Sequence, residues 1–112
     1  MNIALDYDKT YNLDKPFWNS FISDTLFKGY KVYLVTARSK ELDALTADQW
    51  GWPESAVPII YCNGVAKRWC LQMHHGINID IWIDDRPDNI LNNSNATPEF
   101  LVEWRNSEEY SR

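Results

Sequence analysis

Three stretches of the chain share one layout: an apolar, strand-like run that ends in polar residues able to do chemistry. Ile3-Ala4-Leu5 leads into Asp6-Tyr7-Asp8, Val32-Tyr33-Leu34-Val35 into Thr36-Ala37-Arg38, and Ile79-Asp80-Ile81-Trp82-Ile83 into Asp84-Asp85-Arg86. If the three runs lie side by side as parallel strands, their polar ends meet outside the carboxyl edge of the sheet, where open α/β sheets bind ligands. Four carboxylates, a hydroxyl and a guanidinium would then share one crevice. Two unit charges ~4 Å apart repel by about 1 kcal/mol in water and about 4 kcal/mol at a partly shielded site, so a proton or a cation must offset such a group. The donors are all oxygens, with no His or Cys beside these strand ends, which suits a hard ion such as Mg²⁺. Mg²⁺ fills its remaining positions with water and phosphate oxygens. A cation, a hydroxyl and a lysine around a carboxylate nucleophile make a phosphoryl-transfer site.

The elements that must position these groups alternate between strand and helix patterns, which predicts an α/β fold with a mostly parallel sheet flanked by helices. After the first strand and a polar loop, Pro16 opens a helix on which Phe17, Trp18, Phe21, Ile22 and Leu26 recur at helical spacing, with Asp14 as its cap and Gly29 as its stop. Ser39 is placed to cap a second helix carrying Leu42 and Leu45 and ended by Gly51 and Pro53. A strand over Val57 to Tyr61 follows, then a third helix from about Gly64 with Val65, Trp69 and Met73 on one stripe and Gly76 as terminator. Thr97 and Pro98 begin a segment that reads as a terminal helix or, equally, as an edge strand over Phe100 to Trp104.

Composition limits the alternatives. The chain has 112 residues, 45% hydrophobic, with 11 Lys and Arg against 16 Asp and Glu. That length and apolar content predict one domain spanning 1–112, able to fold without a metal or disulfide staple. A net charge of −5 disfavours general duplex nucleic-acid binding, because affinity for the phosphate backbone rests on Lys and Arg. No run approaches the ~20 apolar residues of a membrane span, and no leader pattern precedes the first strand, so no membrane partner and a cytoplasmic setting are expected. Cys62 and Cys70 form no disulfide framework. With His74 and His75 they lack the paired-cysteine spacing of a zinc site, and Cys70 is expected to pack in the core. The six tryptophans read as large core fillers rather than a platform for nucleobases.

The polar strand ends resemble, in order, the four motifs of the haloacid dehalogenase-like hydrolases. Ile3-Ala4-Leu5-Asp6-Tyr7-Asp8-Lys9-Thr10 is similar to the first motif, a strand followed by Asp-x-Asp-x-Thr, and Val32 to Thr36 to the second. Lys67 matches the third, and Ile81-Trp82-Ile83-Asp84-Asp85 the fourth, so the likeness covers about Ile3 to Asn89. One such motif is weak evidence, whereas four in register are specific. The resemblance implies a Rossmann-like doubly wound core and a phosphatase. Asp6 would be the nucleophile that forms an aspartyl-phosphate, and Asp8 the general acid and base. Mg²⁺ would be held by Asp6, the backbone carbonyl of Asp8, and Asp84, with Asp85 close by or acting through water. Thr36 and Lys67 would hold phosphoryl oxygens.

Two positions leave room for other readings. Lys9 stands where many members carry Gly, and Arg68 adjoins Lys67, so either base could face the phosphate. One helix fills the first interval and Tyr61 to Lys67 leaves little space, so a capless, open site is expected. Open sites in such relatives accept small phosphomonoesters or phosphate on a macromolecular end or side chain. Tyr7, Tyr11, Arg38 and Arg86 are the candidates for substrate selection by loop position. Arg38 also reads as an exposed residue at a helix start, and Asn89 as a turn former or a support for the Asp84-Asp85 loop. A non-hydrolytic phospho-acceptor module resembling a receiver domain is the competing reading, although its paired acids would come first in the chain rather than last.

Overall fold

The structure, a computed structural model, describes residues 1–93. The segment over 97–106 expected as helix or strand therefore lies outside the described residues. Four parallel strands form the sheet: β1 (Asn2–Leu5), β2 (Lys31–Thr36), β3 (Ile59–Tyr61) and β4 (Ile81–Ile83), in the order β3-β2-β1-β4. The fold is thus α/β, as the alternating pattern predicts. The chain runs outward from β1 through β2 to β3, then returns to place β4 on the other side of β1.

Side chains alternate across the sheet with the two-residue period of a pleated strand. Leu5, Val32, Leu34, Ile59 and Ile83 face one core, and Ala4, Tyr33, Val35, Ile60 and Trp82 face the other. Helix α1 (Lys15–Phe27) covers the first face through Trp18, Phe21, Ile22 and Leu26. Phe17, expected on that stripe, is instead exposed and stacks edge-on against Trp18, with centroids 4.9 Å apart. The second face is covered by α2 (Lys67–Trp69), which continues as a π-helix over Cys70–His74. A short α3 (Asp88–Leu91) follows β4.

Both ends of α1 are set by local chemistry. The Asp14 carboxylate accepts from the Phe17 N–H at 3.3 Å, satisfying one of the donors that a helix start leaves without a partner. At the other end Gly29 has φ +85°, and the N–H groups of Gly29 and Tyr30 return to the carbonyls of Leu26 and Thr25, the paired closure of a Schellman stop. Asp14→Ala is expected to lower the unfolding free energy by about 1 kcal/mol, read as a shift of the urea midpoint. An unchanged midpoint would show that the cap contributes nothing here.

Two sequence expectations fail for identifiable reasons. The helix expected after Ser39 does not form. The Ser39 hydroxyl accepts from the Glu41 and Leu42 N–H groups, and the Asp43 carboxylate accepts from the Ser39 N–H at 2.6 Å, closing a single turn. Leu42 is exposed, and only Leu45 of the expected pair packs on the core. Without a buried stripe, local side-chain bonds prevail over helix propagation. The third helix starts at Lys67 rather than Gly64, and its π-helical segment shifts the phase. Leu71 is buried in place of Met73, which is exposed. Gly76 does end this helix, with φ +65° and the Ile77 N–H returning to Leu71. Among the described residues no helix is long and apolar enough to cross a membrane.

Candidate active site

The strand order reverses between β1 and β4, and the register there pairs Leu5 with Ile83. The next step along both strands brings Asp6 beside Asp84, and the Asp6 N–H donates to the Ile83 carbonyl at 2.9 Å, carrying the ladder one residue further. Matched residues of neighbouring strands stand about 4.8 Å apart, so the two carboxylates leave the sheet as close neighbours. They follow Ala4 and Trp82 in the alternation, on the face covered by α2. From α2 the Lys67 ammonium reaches between them, donating to Asp6 Oδ1 at 2.8 Å and to Asp84 Oδ2 at 2.5 Å. All three side chains are at most 8% exposed. Arg68 is exposed, facing away with Gln72 and Trp82, so of the two adjacent bases it is Lys67 that meets the carboxylates.

One ammonium between two buried carboxylates leaves a negative charge over. Burial raises the Asp6 pKa to about 7, with Lys67 pulling against it and Asp84 adding to it. For Lys67 burial works to lower the pKa, but the two carboxylates outweigh it and the ammonium is held more firmly than a free lysine. Asp85 completes the group at the exposed rim. One carboxylate oxygen from each of Asp6, Asp84 and Asp85 lies within 4.8 Å of the others.

The donor set fits a hard divalent cation: three carboxylates, no sulfur or imidazole, and one member at the surface free to adjust. Adjacent ligands on Mg²⁺ are about 3.0 Å apart and opposite ones about 4.2 Å, so closing this group on the ion asks for movement on the order of 1–2 Å, which the exposed Asp85 side chain can supply. The Asp8 carboxylate, by contrast, stands outside the group. It is gripped by Arg38 in a two-pronged pair, Nε to Oδ2 at 2.9 Å and Nη2 to Oδ1 at 2.7 Å. That bond holds the Asp8 pKa below the usual carboxylate range, with burial partly opposing it.

The other expected site residues fall in different settings. Thr36 is fully buried, and its hydroxyl oxygen accepts from the Arg38 N–H at 3.1 Å. Arg38 is not the exposed helix-start residue it resembles. It lies over the Tyr7 ring, 5.4 Å from the centroid, and donates to the Asp43 carbonyl. Tyr7 and Tyr11, expected to select substrate, are each only 3% exposed and belong to the core. The Tyr11 hydroxyl is taken up by Asn19 at 2.7 Å. Their aromatic rings contribute to the core, and Tyr11 also lines a pocket with Lys15, Asn19 and Trp52. Arg86 is exposed, 3.6 Å from Asp88, while its N–H donates to Asp84 Oδ1 and so helps orient that carboxylate. The Asn89 N–H closes the following turn on the Arg86 carbonyl.

Thr10 is the site residue to which the sequence reading gives no role. The loop after β1 coils back, with the Tyr11 N–H donating to the Asp6 carbonyl, and Thr10 Oγ1 comes to 3.5 Å from Asp6 Oδ2 and 3.4 Å from Asp85 Oδ1. Its place at the end of Asp-x-Asp-x-Thr is the signal that marks it. Lys9, directly after Asp8, has φ +58°. The backbone keeps the left-handed turn that glycine adopts freely, and a lysine bears the strain. Compared with protein-family models, with curated proteins and with solved structures, the chain matches none.

Proposed function

We propose that this chain is a Mg²⁺-dependent phosphomonoester hydrolase built on a capless, Rossmann-like doubly wound core of the haloacid dehalogenase-like kind. The observation that supports this reading most is the buried Lys67 ammonium joining Asp6 to Asp84, with the Asp85 carboxylate beside them at the switch point of the sheet. A merely structural ion pair needs one acid. Here three acids converge where ligands enter such sheets.

Mg²⁺ would be held by Asp6, the Asp8 carbonyl and Asp84, with Asp85 close by or acting through water, and would supply charge neutralisation for an arriving phosphate. Lys67 occupies Asp6 Oδ1, which leaves Oδ2 to attack phosphorus. The bond from Oδ2 to phosphorus forms as the bond to the leaving oxygen breaks, and Asp8 gives that oxygen its proton. Asp8 then takes a proton from water, which attacks the phosphorus of the aspartyl-phosphate, releases inorganic phosphate and restores Asp6. Thr36 and Lys67 are assigned to the phosphoryl oxygens. The Arg38 pair lowers the Asp8 pKa, so loosening that pair makes the carboxyl easier to protonate. A phosphate dianion competes for the same guanidinium, since paired N–H groups match phosphate as well as carboxylate. Substrate binding and release of the acid–base group are in this way one event.

The test is hydrolysis of p-nitrophenyl phosphate with added Mg²⁺, expected to stop on chelation and return with the metal. Turnover that survives exhaustive chelation would sink the reading. A stable acyl-phosphate formed without turnover would identify the receiver-like alternative. Asp8→Asn is expected to lose about 10²–10⁴-fold with an alkyl phosphate, whose leaving oxygen needs a proton, and less with p-nitrophenyl phosphate. Equal losses on both substrates would remove Asp8 from leaving-group protonation.

A further inference from the structure

Away from the acidic group, Cys62 and Cys70 belong to one core cluster on the second face of the sheet. Each is free and at most 5% exposed, yet both line a cavity of about 460 Å³ shared with Tyr61, His74 and His75. Cys62 directly follows β3. Cys70 begins the π-helical segment, a local irregularity often found at functional positions. We propose that Cys62 and Cys70 form a reversible dithiol–disulfide site, oxidised by small disulfides of the glutathione class that enter this cavity. The inference does not depend on the phosphohydrolase reading.

A structural metal is the other use of two thiols and two imidazoles. Among the described residues, however, only the Asp6, Asp84 and Asp85 group brings three candidate ligand atoms within one coordination sphere. The two thiols, by contrast, share one cavity and one core cluster. The neighbouring Cys62 thiol holds the Cys70 pKa down, whereas Cys70 and burial raise that of Cys62. Cys70, 5% exposed against 1% for Cys62, is the more accessible of the two and is the attacking sulfur, with Cys62 the resolving one. The Cys70 thiolate attacks one sulfur of glutathione disulfide and expels one glutathione thiolate. Cys62 then attacks the Cys70 sulfur of the mixed disulfide and expels the second. Two protein thiols are oxidised, one glutathione disulfide is reduced to two thiols, and the two protons pass to the released glutathione.

The bond would tie the loop after β3 to the helix that carries Lys67. That loop already holds the Thr36–Arg38 segment: the Cys62 N–H donates to the Thr36 carbonyl at 2.8 Å, Asn63 to Arg38 at 3.1 Å and Gly64 to Ala37 at 2.9 Å.

The experiment exposes the native full chain to glutathione disulfide, then alkylates and digests it with trypsin. Lys67 and Arg68 separate the two cysteines, so the reduced protein yields them on different peptides. The expected result is loss of both titratable thiols together, loss of two hydrogens from the intact monomer, and a linked pair of peptides containing Cys62 and Cys70. Dithiothreitol should reverse all three changes. Cys62→Ser is expected to stop at one glutathionyl adduct on Cys70. Native chains that keep both thiols, carry separate stable adducts or form only intermolecular dimers would overturn the proposal.

Discussion

Asp6→Asn is expected to lower turnover of any phosphomonoester by about 10⁴-fold or more, the scale on which removing a catalytic nucleophile acts. The amide is close in size and still accepts from Lys67, so the fold and the neighbouring Asp84 pair should persist. The loss should therefore fall on kcat and leave a folded protein by circular dichroism. Turnover within tenfold of wild type would place the nucleophile elsewhere. The same substitution also separates charge from shape. Asp6 has a pKa of about 7 in the fold against 3.8 when free. Between those values the folded chain keeps a proton that the unfolded chain has lost, so this group's contribution to stability falls as pH rises from about 4 to about 7. Asparagine cannot ionise. In a chelating buffer the variant should gain on wild type by a few kcal/mol over that window. A wild type that instead gains with pH would mean that Lys67 outweighs burial at Asp6.

Lys67→Met is expected to have the largest effect on stability, about 3–5 kcal/mol, because it leaves two buried carboxylates facing each other with no counter-charge. The measurement is the urea midpoint in chelating buffer. The double variant Lys67→Met with Asp6→Asn should recover part of the loss, since only one buried acid then lacks a partner. If Lys67→Met alone were neutral, the carboxylates would have to be finding water or protons that offset them. Neighbouring Arg68→Ala, at an exposed side chain, serves as the control and should change stability by no more than about 0.5 kcal/mol.

The legible part of this molecule is the part dictated by periodicity and by strand ends. Val32 to Val35, apolar and β-branched, has few states open to it besides a buried strand. Asp6 and Asp84 could be paired in advance because parallel strands carry their last residues to one edge. Lys67 could be favoured only by resemblance, because adjacent helix positions flank the same stripe and spacing alone does not choose between Lys67 and Arg68. The pairing of Asp8 with Arg38 is invisible for a different reason. The two are thirty positions apart, and nothing local marks one as the other's partner. The burial of Tyr7 and Tyr11 is not legible either, because loop aromatics can serve ligand or core and only packing decides. Ser39 misleads because the same residue that caps a helix also closes a lone turn.

The arrangement of β1 beside β4 has one more consequence. Asp6 comes from the first of the described strands, and Asp84 and Asp85 follow the last, so the cluster is complete only when a chain segment of nearly eighty residues has closed on itself. A nascent or partly unravelled chain has no such pocket of oxygens to offer. Any ion that recognises the assembled rim acts as a clasp on the whole circuit, and at concentration c it stabilises the fold by RT ln(1 + c/Kd), so the melting temperature rises with its concentration.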